Sequence, residues 1–209
     1  EFNNDGPRGG GPYADGADGA SAPVTNQSNT PIESIEAEQP LRITRYSYVP
    51  DSGGPGTFRG GLGVIREYEL TADEASLQIR SDRKKFLPWG AQGGSPGSQT
   101  YGILNPSGEN RELPSKFLID LRKGDVYRSV QAGGGGYGDP LERDPEAVLN
   151  DLLQEKVTAE AARSEYGVIL GGDGPEVDEE ATRKLRERMR RGRGELSLEP
   201  KVVSASEAS

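Results

Sequence analysis

Three glycine-dense segments, set among short β-like stretches, constrain this chain more than any other feature. They are residues 50–63 (PDSGGPGTFRGGLG), 88–97 (PWGAQGGSPG) and 131–140 (QAGGGGYGDP). Glycine loses more backbone entropy on folding than any other residue. An ordered chain therefore uses it densely where φ is positive or where another group must approach the backbone closely. Such segments expose N–H groups that can hold an anion or an oxyanion, or they let a second chain pack closely. Apolar and charged residues that read as strands or helix starts flank each segment.

Composition limits the core. The chain has 209 residues, 32% of them apolar, with 30 glycines and 15 prolines. One modest central core is expected, with weakly ordered ends and some burial supplied by a partner. The first residue is Glu1 rather than Met, as expected of a fragment or processed chain. The net charge of −9 argues against nucleic acid as a partner, since replacing phosphate counterions needs a basic face. No long apolar run or signal-like start is present, so neither a membrane span nor an intact secretory signal is expected. Cysteine is absent, which suits a cytoplasmic protein, and histidine is absent too. The commonest general base and metal ligand is thereby missing from this chain.

Residues 1–25 read as an extended arm and 26–140 as a β-rich unit carrying the glycine loops. Residues 141–170 read as two short helices, and 171–209 as a helical, partly disordered extension. Residues 26–36 read as polar and irregular. Residues 41–49 alternate, with Leu41, Ile43, Arg45, Ser47 and Val49 on one side. Residues 64–70 and 74–81 are expected to pair as a hairpin around Thr71-Ala72-Asp73. Further strands are expected at 99–105, 111–113, 117–121 and 126–131. Seven short antiparallel strands suggest a sandwich or barrel-like unit, and with the C-terminal helices the class is α+β. Asp144-Pro145-Glu146 is a helix start, Thr158 caps a second helix ended by Gly167, and 177–193 is helix-prone. The basic run at 183–193 follows an acidic start and reads as a solvated helix.

Several groups are candidates for chemistry. Amides of the first loop could nest an anion, with Arg59 adding charge, or the loop could simply turn and pack on a neighbour. No Gly-Lys-Ser or Gly-Lys-Thr follows it, so it is not a Walker A loop. Arg83 could clamp a carboxylate or phosphate beside Asp82, and Trp89 could wall an apolar pocket. Alternatively, Asp82 and Arg83 form an ion pair and Trp89 packs in a core. Gly133, Gly134, Gly135 and Gly136, followed by Tyr137, place bare amides between a strand and a helix start, a favourable place for anionic oxygen. The alternative is a crossover that lets two chains approach. Asp51, Asp82, Asp120, Asp125 and Asp139 are acid–base candidates, but nothing in their spacing selects a pair. No catalytic residue and no metal ligand is assigned.

The three glycine motifs, with the run from Asp139 to Val148 (DPLERDPEAV) and its sequel from Val157 to Val168, resemble the C-terminal part of the hydantoinase B family over roughly residues 26–168. The resemblance implies membership of an ATP-dependent cyclic-amide hydrolase acting on hydantoins or 5-oxoproline. It implies ATP and Mg²⁺ on a hydantoinase A-type partner, which phosphorylates the substrate oxygen and makes it a good leaving group. It also implies a metal ion on an N-terminal hydantoinase B-type chain, and no cofactor bound by this chain alone. The glycine run at 133–136 would then lie near a shared active site or a subunit interface. Two alternatives are a component of an ATP-dependent ketone carboxylase and a non-catalytic assembly component of a hetero-oligomer. A free-standing carbohydrate-binding sandwich is the remaining reading, poorly supplied with one Trp.

Overall fold

The computed structural model describes residues 6–20, 29–172 and 175–196. The fold is α+β and mainly antiparallel. Among the described residues, seven strands form two sheets. They are β1 (Leu41–Tyr48), β2 (Val64–Leu70), β3 (Glu74–Arg80), β4 (Tyr101–Leu104), β5 (Arg111–Leu113), β6 (Lys116–Arg122) and β7 (Val126–Val130). The larger sheet has the order β1-β2-β7-β4-β5, and β3 pairs with β6 in a separate ribbon.

The expected hairpin between residues 64–70 and 74–81 does not form. Both edges of β2 are taken, by β1 and by β7. The chain leaves the sheet at Leu70, whose amide donates to Asp125 O, and enters the ribbon. Ribbon and sheet share one core. Tyr68, Leu70, Leu104, Leu113, Leu121 and Tyr127 are buried there, packed by Leu77, Ile79, Phe117 and Ile119. The rings of Tyr68 and Tyr127 stack at 6.3 Å, and Phe117 meets Tyr127 edge-on at 5.9 Å, both favourable aromatic geometries.

The alternation of β1 holds only as far as Ile43. A register shift between Ile43 and Arg45 inserts one residue, and the faces exchange. Tyr46, not Arg45, then stands opposite Arg66, and the Arg66 guanidinium lies 4.0 Å from the Tyr46 ring centre. Arg66 shares its parity on β2 with Val64, Tyr68 and Leu70 and is buried. Its guanidinium nitrogens make no hydrogen bond among the described residues, leaving the tyrosine face as its compensation.

Helix α1 (Ile32–Glu38) lies where irregular chain is expected. Pro31 sits at its N-cap, where proline's fixed φ suits a helix start, and Ile35 is its buried anchor. Helix α2 (Pro145–Leu153) starts as expected, with the Asp144 carboxylate accepting from the Glu146 amide at 3.1 Å. Thr158 likewise caps α3 (Ala159–Ser164), accepting from the Ala161 amide at 3.1 Å. Val148, Val157, Ala162, Tyr166 and Val168 form a second core between these helices. Helix α4 (Glu179–Leu196) docks through Arg186, which donates to the Tyr166 and Arg143 carbonyls at 2.9 and 2.7 Å. The expected disorder toward residue 209 lies outside the described residues.

Apart from Pro140, which opens a 3-10 turn, and isolated bridges from Tyr137 to Phe58 and Ala91, the glycine segments form neither helix nor strand; they pack on one another. Gly133 to Gly136 are all buried. A Cβ on Gly133 would overlap the Ser52 carbonyl, and one on Gly134 the Arg8 carbonyl. On Gly135 it would meet Trp89 O and on Gly136 Pro55 O. Four consecutive residues thus touch three other stretches of backbone: the arm at Arg8, the first glycine segment at Ser52 and Pro55, and the second at Trp89. Hydrogen bonds follow the same pattern. Gly134, Gly136 and Tyr137 amides donate to Gly61, Ser95 and Phe58 carbonyls, each at 2.9 Å. In return, Gly134, Gly135 and Gly136 carbonyls accept from Gly54, Gly10 and Ala91 at 2.7, 2.8 and 2.9 Å. This is a core built from backbone, and it explains how a chain poor in apolar residues excludes water.

Gly134→Ala is expected to destabilise the fold by roughly 3 kcal/mol or more, because backbone cannot yield as a side chain does. Gly172, where an added Cβ meets no atom of the described residues within 4 Å, should tolerate alanine within about 0.5 kcal/mol. Urea denaturation of both variants checks this, and an unchanged midpoint for Gly134→Ala would contradict the packing.

Candidate functional site

The site is built outward from the glycine bundle. Residues 6–20 lie across it: the arm's Gly10 amide donates to Gly135 O, and the arm's Arg8 carbonyl accepts from the Gly61 amide, at 2.8 Å each. The arm also delivers two carboxylates. Asp15 accepts from the Arg59 amide at 2.7 Å, and Asp18 from the Leu62 amide at 2.8 Å. Beneath them lies an ion cluster that is dry at its centre, around Arg59, Arg143 and Asp151, while Asp15 and Lys156 remain partly exposed. Arg59 is 2% exposed and pairs with Asp18 at 3.0 Å and Asp151 at 3.4 Å. Arg143, 3% exposed, grips Asp15 through both terminal nitrogens at 2.6 and 2.7 Å and reaches Asp151 at 2.7 Å. Lys156 completes the cluster against Asp18 at 3.0 Å.

Three cations face three carboxylates, so the cluster is close to neutral. Burial alone would raise the Asp15 carboxyl, but the Arg143 bonds and charge outweigh it and hold it below the ordinary value. Burial acts on Asp18 in the same sense and is outweighed by the Leu62 amide and Arg59. Burial opposes the charge on Arg143, yet Asp15 and Asp151 keep it firmly protonated.

The sequence candidates separate into three places. Arg59 is inside the ion cluster, where its guanidinium serves the fold and is not open to a ligand. Gly133 to Gly136 and Tyr137 are the axis of the bundle. Four of their five amides donate internally, Gly133 to Ser98 Oγ at 3.1 Å. The run therefore does not fit a phosphate or nucleotide cradle, and no chemical step is routed through it. Asp82, Arg83 and Trp89 lie together on an exposed loop. Asp82 and Arg83 form no ion pair with each other, and Trp89 is 76% exposed, so the expected packed indole is corrected.

Asp51, an acid–base candidate, accepts from the Thr158 amide and hydroxyl at 2.8 and 2.7 Å. It borders a cleft of about 380 Å³ between Pro55, Ser95 and helix α3. Asp120 bonds Ser76, Asp125 the Arg122 amide, and Asp139 the Leu141 amide. No grouping of three or more acids able to hold a metal occurs among the described residues. Sequence reasoning misses Asp15, Asp18, Arg143 and Asp151. One signal is available: Asp151 falls one turn from Val148 on the apolar stripe of α2, where a charge requires a buried partner.

Comparison with protein-family models matches residues 2–140 to Hydantoinase B/oxoprolinase. The chain belongs to that family. The match begins earlier than the expected residue 26 and ends at Pro140. Within the family, this chain is 42% identical over 183 residues to a Pseudomonas sp. (strain NS671) protein assigned as the B-type component of a D-/L-hydantoinase. That match covers 85% of this chain and 30% of the relative. It is 36% identical over 165 residues to the beta component of the Pseudomonas jessenii caprolactamase, covering 74% of this chain and 27% of that relative. The crystal structure of the ATP-dependent caprolactamase from Pseudomonas jessenii superposes with a TM-score of 0.76 at 31% identity, covering 87% of this chain and 32% of that one. Nucleotide-free acetone carboxylase shares the fold, with a TM-score of 0.69 at 24% identity, covering 94% and 30%. The chain thus spans about three-tenths of the length of these relatives. No helix among the described residues is long and apolar enough to cross a membrane.

Asp151→Asn strips Arg59 and Arg143 of a shared buried counter-charge and is expected to cost about 3 kcal/mol or more. A loss below about 1 kcal/mol in urea denaturation would mean that the cluster is not dry. Asp15 and Asp18 have folded pKa values below their unfolded ones. Their contribution is therefore complete above the ordinary aspartate pKa of about 3.9 and fades as pH falls through the depressed values. Proteolysis of the arm should begin only below that range, and arm release near pH 6 would contradict the assignment.

Proposed function

We propose that this chain forms the C-terminal, backbone-packed part of a hydantoinase B-type subunit in an ATP-dependent cyclic-amide hydrolase. The observation that carries this reading is the 42% identity to the hydantoinase relative over 85% of the chain. Kinship with the caprolactamase beta component supports it, since a lactam is also a cyclic amide. An amide carbonyl is a poor electrophile; phosphorylating its oxygen at the expense of ATP lets water add to the carbon, after which the C–N bond breaks, the ring nitrogen takes the proton, and loss of phosphate leaves the carboxylate. In this reading a hydantoinase A-type partner binds ATP and Mg²⁺, and the N-terminal part of a B-type polypeptide carries a metal ion. This chain contributes neither; its rigid bundle holds surrounding surfaces in place.

A specific observation favours the scaffold component of the reading. The groups that look suited to an anion in the sequence, Arg59 and four of the five Gly133–Tyr137 amides, are committed inside the fold. The chain therefore acts by positioning neighbours.

The test is native mass spectrometry of the complex isolated through a tag on this chain, followed by ADP-release assays with hydantoin, 5-oxoproline and caprolactam. The expected result is a hetero-oligomer containing an ATP-binding partner, with ADP release that requires a cyclic amide. ADP release that requires a ketone and bicarbonate would replace this reading with a carboxylase, and a folded chain found alone would remove it.

A further inference from the structure

The loop that carries Asp82, Arg83 and Trp89 gathers large apolar side chains at the surface. Phe86 is 75% exposed, Leu87 41% and Trp89 76%, within four residues of one another. Arg83 and Lys85 are exposed beside them, and the Lys85 ammonium lies 5.9 Å from the Phe86 ring centre. Contiguous apolar surface of this kind is costly in water, and Trp is the side chain most enriched where partners bind.

The backbone beneath these side chains is fixed. Pro88 O accepts from the Gly97 amide at 2.9 Å, and Trp89 O lies against Gly135 at the axis of the bundle. Arg83 O accepts from the Thr100 amide at 3.1 Å, with Arg83 itself at φ 62, a conformation that a bulky residue keeps only when its surroundings enforce it. Lys84 ties the near end to Leu113 O at 2.7 Å and to Glu112 at 2.8 Å. The loop thus presents large apolar groups on a rigid base, which lowers the entropy lost on association.

We propose that Arg83, Lys85, Phe86, Leu87 and Trp89 form a docking surface for the part of a hydantoinase B-type polypeptide beyond the span of this chain. This rests on the proposed function. The occupant follows from the length of the relatives, and the exposed charge says what its face must offer. Relatives of this chain are about three times its length, so most of their polypeptide lies beyond the matched region. The exposed cations require a complementary surface, so the receiving face is an apolar recess rimmed by carboxylates. Glycine packing within the bundle therefore has a second consequence: it holds the loop against Gly135 while its side chains point away.

Trp89 is the only tryptophan, so 5-fluorotryptophan incorporation gives a single ¹⁹F resonance. The B-type polypeptide recovered with the tagged chain is separated and added back to the labelled full chain. The expected result is a shifted Trp89 resonance that loses its H₂O/D₂O isotope shift. The double variant Phe86→Ser/Trp89→Ser, folded because both residues are exposed, should bind at least about tenfold more weakly. Leu118→Ser, at an exposed apolar residue on β6, should change binding less than about twofold. A complex in which Trp89 stays solvent-exposed, or in which the double variant binds as tightly, overturns the docking surface alone. Recovery of no B-type polypeptide overturns the proposed function and the docking surface with it. Concentration-dependent ¹⁹F shifts without any partner would show that a second copy occupies the surface, again overturning the proposal.

Discussion

Everything in this molecule depends on backbone packed against backbone with no Cβ between. Hydrophobic cores exclude water with side chains, and this chain has few of them. At the crossing of Gly133 to Gly136 with the segments around Arg8, Ser52, Pro55, Gly61 and Trp89, amides and carbonyls satisfy one another. The entropy cost of ordering so many glycines is offset because each one completes contacts from several segments at once. The same device ties together parts of the chain far apart in sequence, from the arm at Arg8 to the run at Gly136.

The ion cluster is the second layer of the same construction. Where glycine segments leave no room for apolar side chains, Arg59 and Arg143 fill the remaining space and must be neutralised. Asp15 and Asp18 arrive on the arm and Asp151 on α2. Buried pairs of this kind add little net stability against an apolar alternative, but breaking one is costly. They consequently fix the arm and the helix in a single arrangement. The apolar sheet core and the small helical core flank this polar centre.

Much of the architecture is legible in the residues. The strand segments and the caps at Asp144 and Thr158 follow from local chemistry. The strand pairing does not, because the spacing of residues 64–81 suits a hairpin equally well. Only the competition of β1 and β7 for the edges of β2 decides otherwise. The inserted residue in β1 leaves no local signature, yet it exchanges the faces of Arg45 and Tyr46. Glycine density marks close approach, but sequence alone cannot say what approaches. The partner is the chain's own backbone, including an arm whose composition resembles a linker. Arg66 and Asp151 are visible as charges on apolar faces. The group that compensates Arg66, Tyr46, lies on another strand, and Arg59, one of the two cations that meet Asp151, lies far away in sequence.

The most direct test of this account is hydrogen exchange at the amides of residues 133–137 in the folded chain. A core built from backbone predicts that Gly134, Gly136 and Tyr137 exchange only through global unfolding, as slowly as Tyr68 and Tyr127 in the sheet. Exchange within seconds at these glycines would mean that the amides face solvent. The run would then be an open nest for an anion, and the scaffold account would fail.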